Sequence, residues 1–81
     1  MMIEIIRLSE LPFGCDAVVE SVHCAAGLQR RVMDMGIVKG TPIIPVMRAP
    51  FGDPVAYAAK NTLIALRERD CEDILVRWSH E

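Results

Sequence analysis

Aromatic residues are scarce in this sequence: Phe13, Phe51, Tyr57 and Trp78 are the four among 81 residues. They are scattered over separate segments, which argues against an aromatic-lined groove of the kind that grips proline-rich peptides. Cysteine is also sparse. Cys15, Cys24 and Cys71 are odd in number and widely spaced, with no Cys-x-x-Cys, so neither a disulfide framework nor a structural zinc site is written here. They read as free thiols in a reducing compartment. Charge of one sign is missing too. Nine basic residues against eleven acidic ones leave a net charge of −2, and a duplex nucleic-acid binder usually shows a basic excess. No apolar run approaches the roughly 18–20 residues that a membrane-crossing helix needs. The start, Met1 to Arg7, has Glu4 where a signal peptide would carry basic residues, so the chain is expected to be cytoplasmic and unprocessed. Finally, there is no Ser/His/Asp set, no phosphate-binding loop and no recognisable carboxylate pair, and the expectation is a protein that is not an enzyme.

What the chain does have is apolar content: 52% of its residues are hydrophobic, enough to favour a folded core over disorder. Its length allows one domain, read as 1–81 with a core over about 8–78. Turn residues fall in short clusters and cut the chain into short elements. Leu8 to Gly14 reads as a lead-in, with Pro12 and Gly14 supplying turn chemistry. Residues 16–22 alternate as a first strand. Residues 27–35 carry Leu28, Val32 and Met35 at helical spacing, with Gly27 as a weak N-cap and Gly36 in the place of a C-terminal cap. Thr41 to Met47 reads as a strand that Pro42 and Pro45 confine to an edge or force to bulge, and such an edge invites a homo-oligomer. Residues 55–60 and 62–67 form a hairpin turning at Asn61. Glu68 to Glu72 is one helical turn, and Ile74 to Trp78 a last strand. The expected fold is mainly β: a small barrel of about five short strands with one inserted short α-helix.

Four blocks carry a family likeness: Leu8-Ser9-Glu10-Leu11, the run from Leu28 through Gly36 and Gly40 to Thr41, Arg48-Ala49-Pro50-Phe51-Gly52-Asp53-Pro54-Val55, and Leu63-Ile64-Ala65-Leu66-Arg67. In this order and spacing they resemble the FeoA family. The resemblance implies an SH3-like barrel and a cytoplasmic accessory role in bacterial ferrous iron transport. The implied partner is the membrane transporter FeoB, bound at its cytoplasmic GTPase or at its membrane part, which would hold the protein peripherally at the inner membrane. The sequence departs from the family pattern at Met33 and Met35, at Asn61-Thr62 and at Cys71.

Arg30, Arg31 and Asp34 mark a charged helix face, read either as a docking surface or as ion pairs across one helical turn. Pro50, Phe51 and Asp53 mark a loop, read either as a contact tip or as a turn in which Asp53 bonds nearby backbone. Gly36, Gly40, Gly52 and Asn61 read as structural turn positions. The weak metal candidates are His23, Cys24 and His80, with Cys15 and Cys71 behind them. His23 and Cys24 are neighbours and would point to opposite faces of a strand. No resident cofactor is implied, and a divalent ion bound here would be weak or adventitious. The competing functions are thus a transporter-binding regulator, a ferrous or divalent metal chaperone or sensor, a generic SH3-like interaction adaptor and, disfavoured by charge, a small nucleic-acid-binding barrel.

Overall fold

The computed structural model describes residues 2–80. Six strands run through it: β1 (Met2–Arg7), β2 (Ala17–Val22), β3 (Pro42–Arg48), β4 (Val55–Ala59), β5 (Thr62–Leu66) and β6 (Ile74–His80). Helix α1 (Ala26–Asp34) follows β2, a single turn α2 (Glu68–Cys71) follows β5, and Leu8–Glu10 forms a 3-10 turn after β1. The strands lie in the order β1-β6-β2-β3-β4-β5, and every neighbouring pair is antiparallel. The mainly-β class and the single long helix match the sequence expectation. The end strands β1 and β5 are not paired with each other, so the sheet is open and does not close into a barrel.

Two strand assignments change. The opening segment is a sixth strand, paired residue for residue with β6 from Met2↔His80 to Arg7↔Leu75. It escapes the period-2 pattern because Ile5 and Ile6 are adjacent and most of β1 is exposed. The proline-bearing strand is not an edge. Its first residues pair with β2 (Ala17↔Ile43, Val18↔Pro42) and its later ones with β4 (Ile44↔Ala58 onward). Dividing partners in this way limits how many donors each side asks of β3. A bulge between Pro45 and Met47 absorbs the rest.

The core gathers Leu8, Leu11, Val19, Val32, Ile37, Ile43, Tyr57, Ile64, Cys71, Ile74 and Val76, all buried. Most β2 residues alternate as their sequence predicts. A bulge between Val19 and Ser21 then turns Val22 back toward the core, so both Val19 and Val22 pack inward. In β4 the buried set is Val55, Tyr57 and Ala59, and in β5 it is Ile64 and Leu66. The turn between them holds both Lys60 (φ 48) and Asn61 (φ 65) in the left-handed region, the geometry of a two-residue hairpin that follows the sheet twist.

Helix α1 buries Val32 and half-buries Leu28, and Met35, its C-cap, is half-buried too. Gly27 lies inside the helix, and Ala25 precedes it without a side-chain cap, so the start has no polar anchor. The end is well made. Gly36 (φ 89) donates its N–H to Met33 O at 2.9 Å, and Ile37 donates to Val32 O at 3.1 Å, the paired bonds of a Schellman cap. Ile37 then folds fully into the core. Thr41 locks the turn that leads from Ile37 into β3: its buried hydroxyl accepts from the Val38 N–H at 3.1 Å and donates to Gly36 O at 3.0 Å.

Candidate partner-binding surfaces

The outer side of α1 presents Arg30, Arg31 and Asp34, none of them buried. Among the described residues the ion pairs are Lys39–Glu20 at 3.8 Å, Arg77–Glu20 at 3.1 Å and His80–Glu4, and none involves these three. Of the two sequence readings, pairing across a helical turn is therefore not what the side chains do. Met33, 49% exposed, sits among the charges and was missed as a surface feature by sequence reasoning. Its position one residue from the buried Val32 at 3.6-residue periodicity was the available signal. Ala26, Gln29, Arg30, Met33 and Asp34 line a shallow hollow of about 380 Å³. An unbranched thioether ringed by unpaired guanidinium and carboxylate groups is an adaptable apolar centre with a polar rim, the usual anatomy of a protein contact.

The second surface is the loop between β3 and β4. Phe51 is 100% exposed at its tip. Gly52 (φ 94) donates its N–H to Ala49 O at 2.7 Å, closing the tight turn that lifts the ring off the body. Asp53 does not bond its own turn: its Oδ1 accepts from the Glu68 N–H at 2.9 Å and so caps α2. Pro50 is exposed beside Phe51. Arg48 at the base bridges two loops. Its guanidinium carbon lies 4.9 Å from the Phe13 ring centroid, and its Nη1 donates to Gly52 O at 3.4 Å. Neither Arg48 nor Phe13 was singled out from sequence, since 35 positions separate them. The cleft they share with Pro45, Val55 and Tyr57 holds only about 20 Å³, room for one water molecule.

The two surfaces belong to different ends of the molecule. A Cβ built on Gly36, just past α1, would lie 3.3 Å from the Cδ of Lys60 in the β4–β5 turn. The Phe51 loop leaves the other end of β4. β4, which runs from one end to the other, is five residues or about 16 Å long.

The metal candidates do not converge: no group of three or more His, Cys, Asp or Glu side chains placed to hold an ion occurs among the described residues. His23 is exposed, while Cys24 is buried and directs its thiol to Asp70 O at 3.9 Å. His80 contacts Glu4 and stacks on Trp78 with ring centroids 4.1 Å apart. Cys71 is buried and donates to the Tyr57 hydroxyl at 3.4 Å. Burial pushes the Cys71 thiol up to about 11, although the Tyr57 contact opposes the rise. Burial first, and then the Asp73 and Asp70 carboxylates, raise Cys24 as well. Burial, with the Cys71 contact, raises Tyr57. Both thiols are thus held protonated, a poor state for a nucleophile or a soft metal ligand. No helix among the described residues is long and apolar enough to cross a membrane.

A small, mainly antiparallel β domain with exposed loop and helix contacts is the class these features define. The FeoA domain family model matches residues 6–77, nearly the whole chain. This chain is 39% identical over 70 residues to the Fe(2+) transport protein A/Fe(2+) transporter FeoB fusion protein of Porphyromonas gingivalis, a match covering 86% of this chain and 8% of that protein's length. It is 35% identical to the FeoA protein of Chlorobium tepidum, whose solution structure superposes with a TM-score of 0.87 over 93% of this chain and 71% of that one. It is also 35% identical to FeoA of Stenotrophomonas maltophilia, described as a prokaryotic SH3 domain protein and solved in complex with zinc (TM-score 0.75, covering 94% and 89%). The chain belongs to the FeoA family, and its fold is SH3-like.

Proposed function

We propose that this chain is a cytoplasmic accessory protein of bacterial ferrous iron uptake that works by binding a FeoB-type membrane transporter, and not by catalysis. The observation that carries this reading is the relative in which Fe(2+) transport protein A and the FeoB transporter are one polypeptide. A covalent tether raises the effective concentration of two modules that act on each other, without needing a new contact. The surface chemistry supports the same reading. An exposed aromatic at a loop tip is apolar area that water does not favour, and unpaired arginines on a helix supply the planar hydrogen-bonding fork common at interfaces. The target in this reading is the transporter's cytoplasmic GTPase or its membrane part, through which the protein is held at the membrane.

The test is amide NMR of the labelled protein during titration with the transporter's isolated cytoplasmic domain, nucleotide-free and then with GDP or a GTP analogue. Shifts at Phe51 and its loop, or at Arg30, Met33 and Asp34, are expected, with a nucleotide dependence that identifies the state recognised. No shift in any nucleotide state, repeated with the full-length transporter in detergent, would remove the reading.

A further inference from the structure

The free edge of β1 carries a second kind of contact. Which of its backbone groups are open is set by hydrogen bonds elsewhere. The Arg7 N–H donates to Glu10 Oε1 at 3.0 Å and so does not face β6. Along an antiparallel strand, the residues that point their N–H and C=O to a given side alternate. Ile5 and Ile3 therefore turn theirs outward, and Met2, Glu4 and Ile6 make the ladder with β6. The opposite flank of β6 agrees. The Val19 N–H donates to Thr41 O at 2.9 Å, away from β6, which leaves Val18 to bond its partner Arg77. Arg77 thus bonds toward β2, although it sits across from Ile5.

The open edge consists of Ile3 and Ile5, 58% and 55% exposed. Met2–Arg7 holds no proline, no lysine and no register shift, and of the devices that blunt an edge it has only the charges of Glu4 and Arg7. The other end strand, β5, exposes one large apolar residue, Leu63.

We propose that β1 is a self-association edge, where two copies of this chain pair antiparallel about a two-fold axis at Glu4. Two open residues spaced by two are complementary to themselves. With Ile3 opposite Ile5 of the second copy, and the reverse, both residues in both chains find backbone partners. A register centred on Ile5 sets Ile3 against Arg7, whose N–H Glu10 already holds. The four isoleucines then form one apolar strip on the outer face, continuous with the trough lined by Ile3, Val18, Arg77 and Ser79. Glu4 meets its counterpart at the axis, and each carboxylate carries its own His80 contact into the pair. The contact is one strand pair, well below the roughly 1,200 Å² of stable interfaces, so the dimer is weak and reversible. This rests on the edge alone and not on transporter binding.

The full chain is tested by sedimentation velocity over a concentration series, with Cys15→Ser as background for cross-linking. A concentration-dependent dimer is expected. Ile5→Lys should weaken it roughly tenfold or more, and Glu4→Gln should tighten it. Under mild oxidation, Glu4→Cys should trap a covalent dimer, because it faces itself across the axis, while Ile5→Cys should not. A wild-type monomer at about 1 mM would overturn the proposal. So would an Ile5→Lys variant, folded by its amide spectrum, that dimerises like wild type, or cross-linking at Ile5 as fast as at Glu4.

Discussion

Asp53 accepts a hydrogen bond from the Glu68 backbone at 2.9 Å, so a loop carboxylate caps a helix that begins fifteen positions later. Arg67, the residue that should cap α2, makes no side-chain cap bond of its own. Asp53→Ala is expected to lower stability by about 1 kcal/mol, with Asp53→Asn losing less because it keeps an acceptor. Urea midpoints of the three proteins check this, and equal midpoints would mean the bond contributes nothing net.

Phe51 stands in the same loop with the opposite character. Its ring touches little of the protein, so Phe51→Ala should leave stability within about 0.5 kcal/mol of wild type. The same variant should weaken transporter binding by roughly tenfold, as truncating an aromatic anchor typically does. Calorimetric titration against the cytoplasmic domain separates the two effects. A variant that unfolds easily would show instead that Phe51 supports the fold.

Thr41 makes the strongest structural prediction. Thr41→Val keeps the shape but removes a hydroxyl that serves both Val38 N–H and Gly36 O in a buried site. The expected cost is about 1–3 kcal/mol, read as a shift in the denaturation midpoint. Thr41→Ser should recover most of it.

Alkaline pH tests the buried thiol. The Cys71 proton ionises near 9.0 ordinarily and near 11 in the fold. Between those values the unfolded chain has lost the proton and the folded chain keeps it. Stability is therefore fully present below about pH 9, falls as pH rises, and levels off above about 11. The slope from one such group is at most about 1.4 kcal/mol per pH unit. Cys24 and Tyr57 are raised in the same direction and add to the fall. Denaturation curves at pH 7, 9 and 10.5 should show Cys71→Ala less alkali-sensitive than wild type. Equal sensitivity would remove Cys71 from the account.

Local chemistry made much of this legible. Gly36 followed by Ile37 announces a capped helix end that folds inward, and Asn61 between two alternating runs announces a hairpin, because both signals lie within a few residues of what they control. Lys60 escaped, since a lysine with positive φ has no sequence signature. The pairing partners of β3 were illegible for a different reason: prolines exclude donors but do not say on which side the donors are unneeded. Asp53 read as a turn residue because its true partner, Glu68, is distant in the chain. Arg48 over Phe13 is of the same kind. The helix charges were visible from the start, but only the side-chain geometry decides that Arg30, Arg31 and Asp34 stay unpaired.

Strand β4 holds the two contact surfaces apart. Because Gly36, just past α1, lies against the Lys60 side chain at one end and the Phe51 loop leaves the other, a partner residue touching the helix does not crowd the loop, and neither relies on the other for its position. Losses at sites so separated combine by simple multiplication of affinities. A partner that grips both ends would hold this domain as a strut, with its orientation fixed by two points and not by the depth of any single pocket.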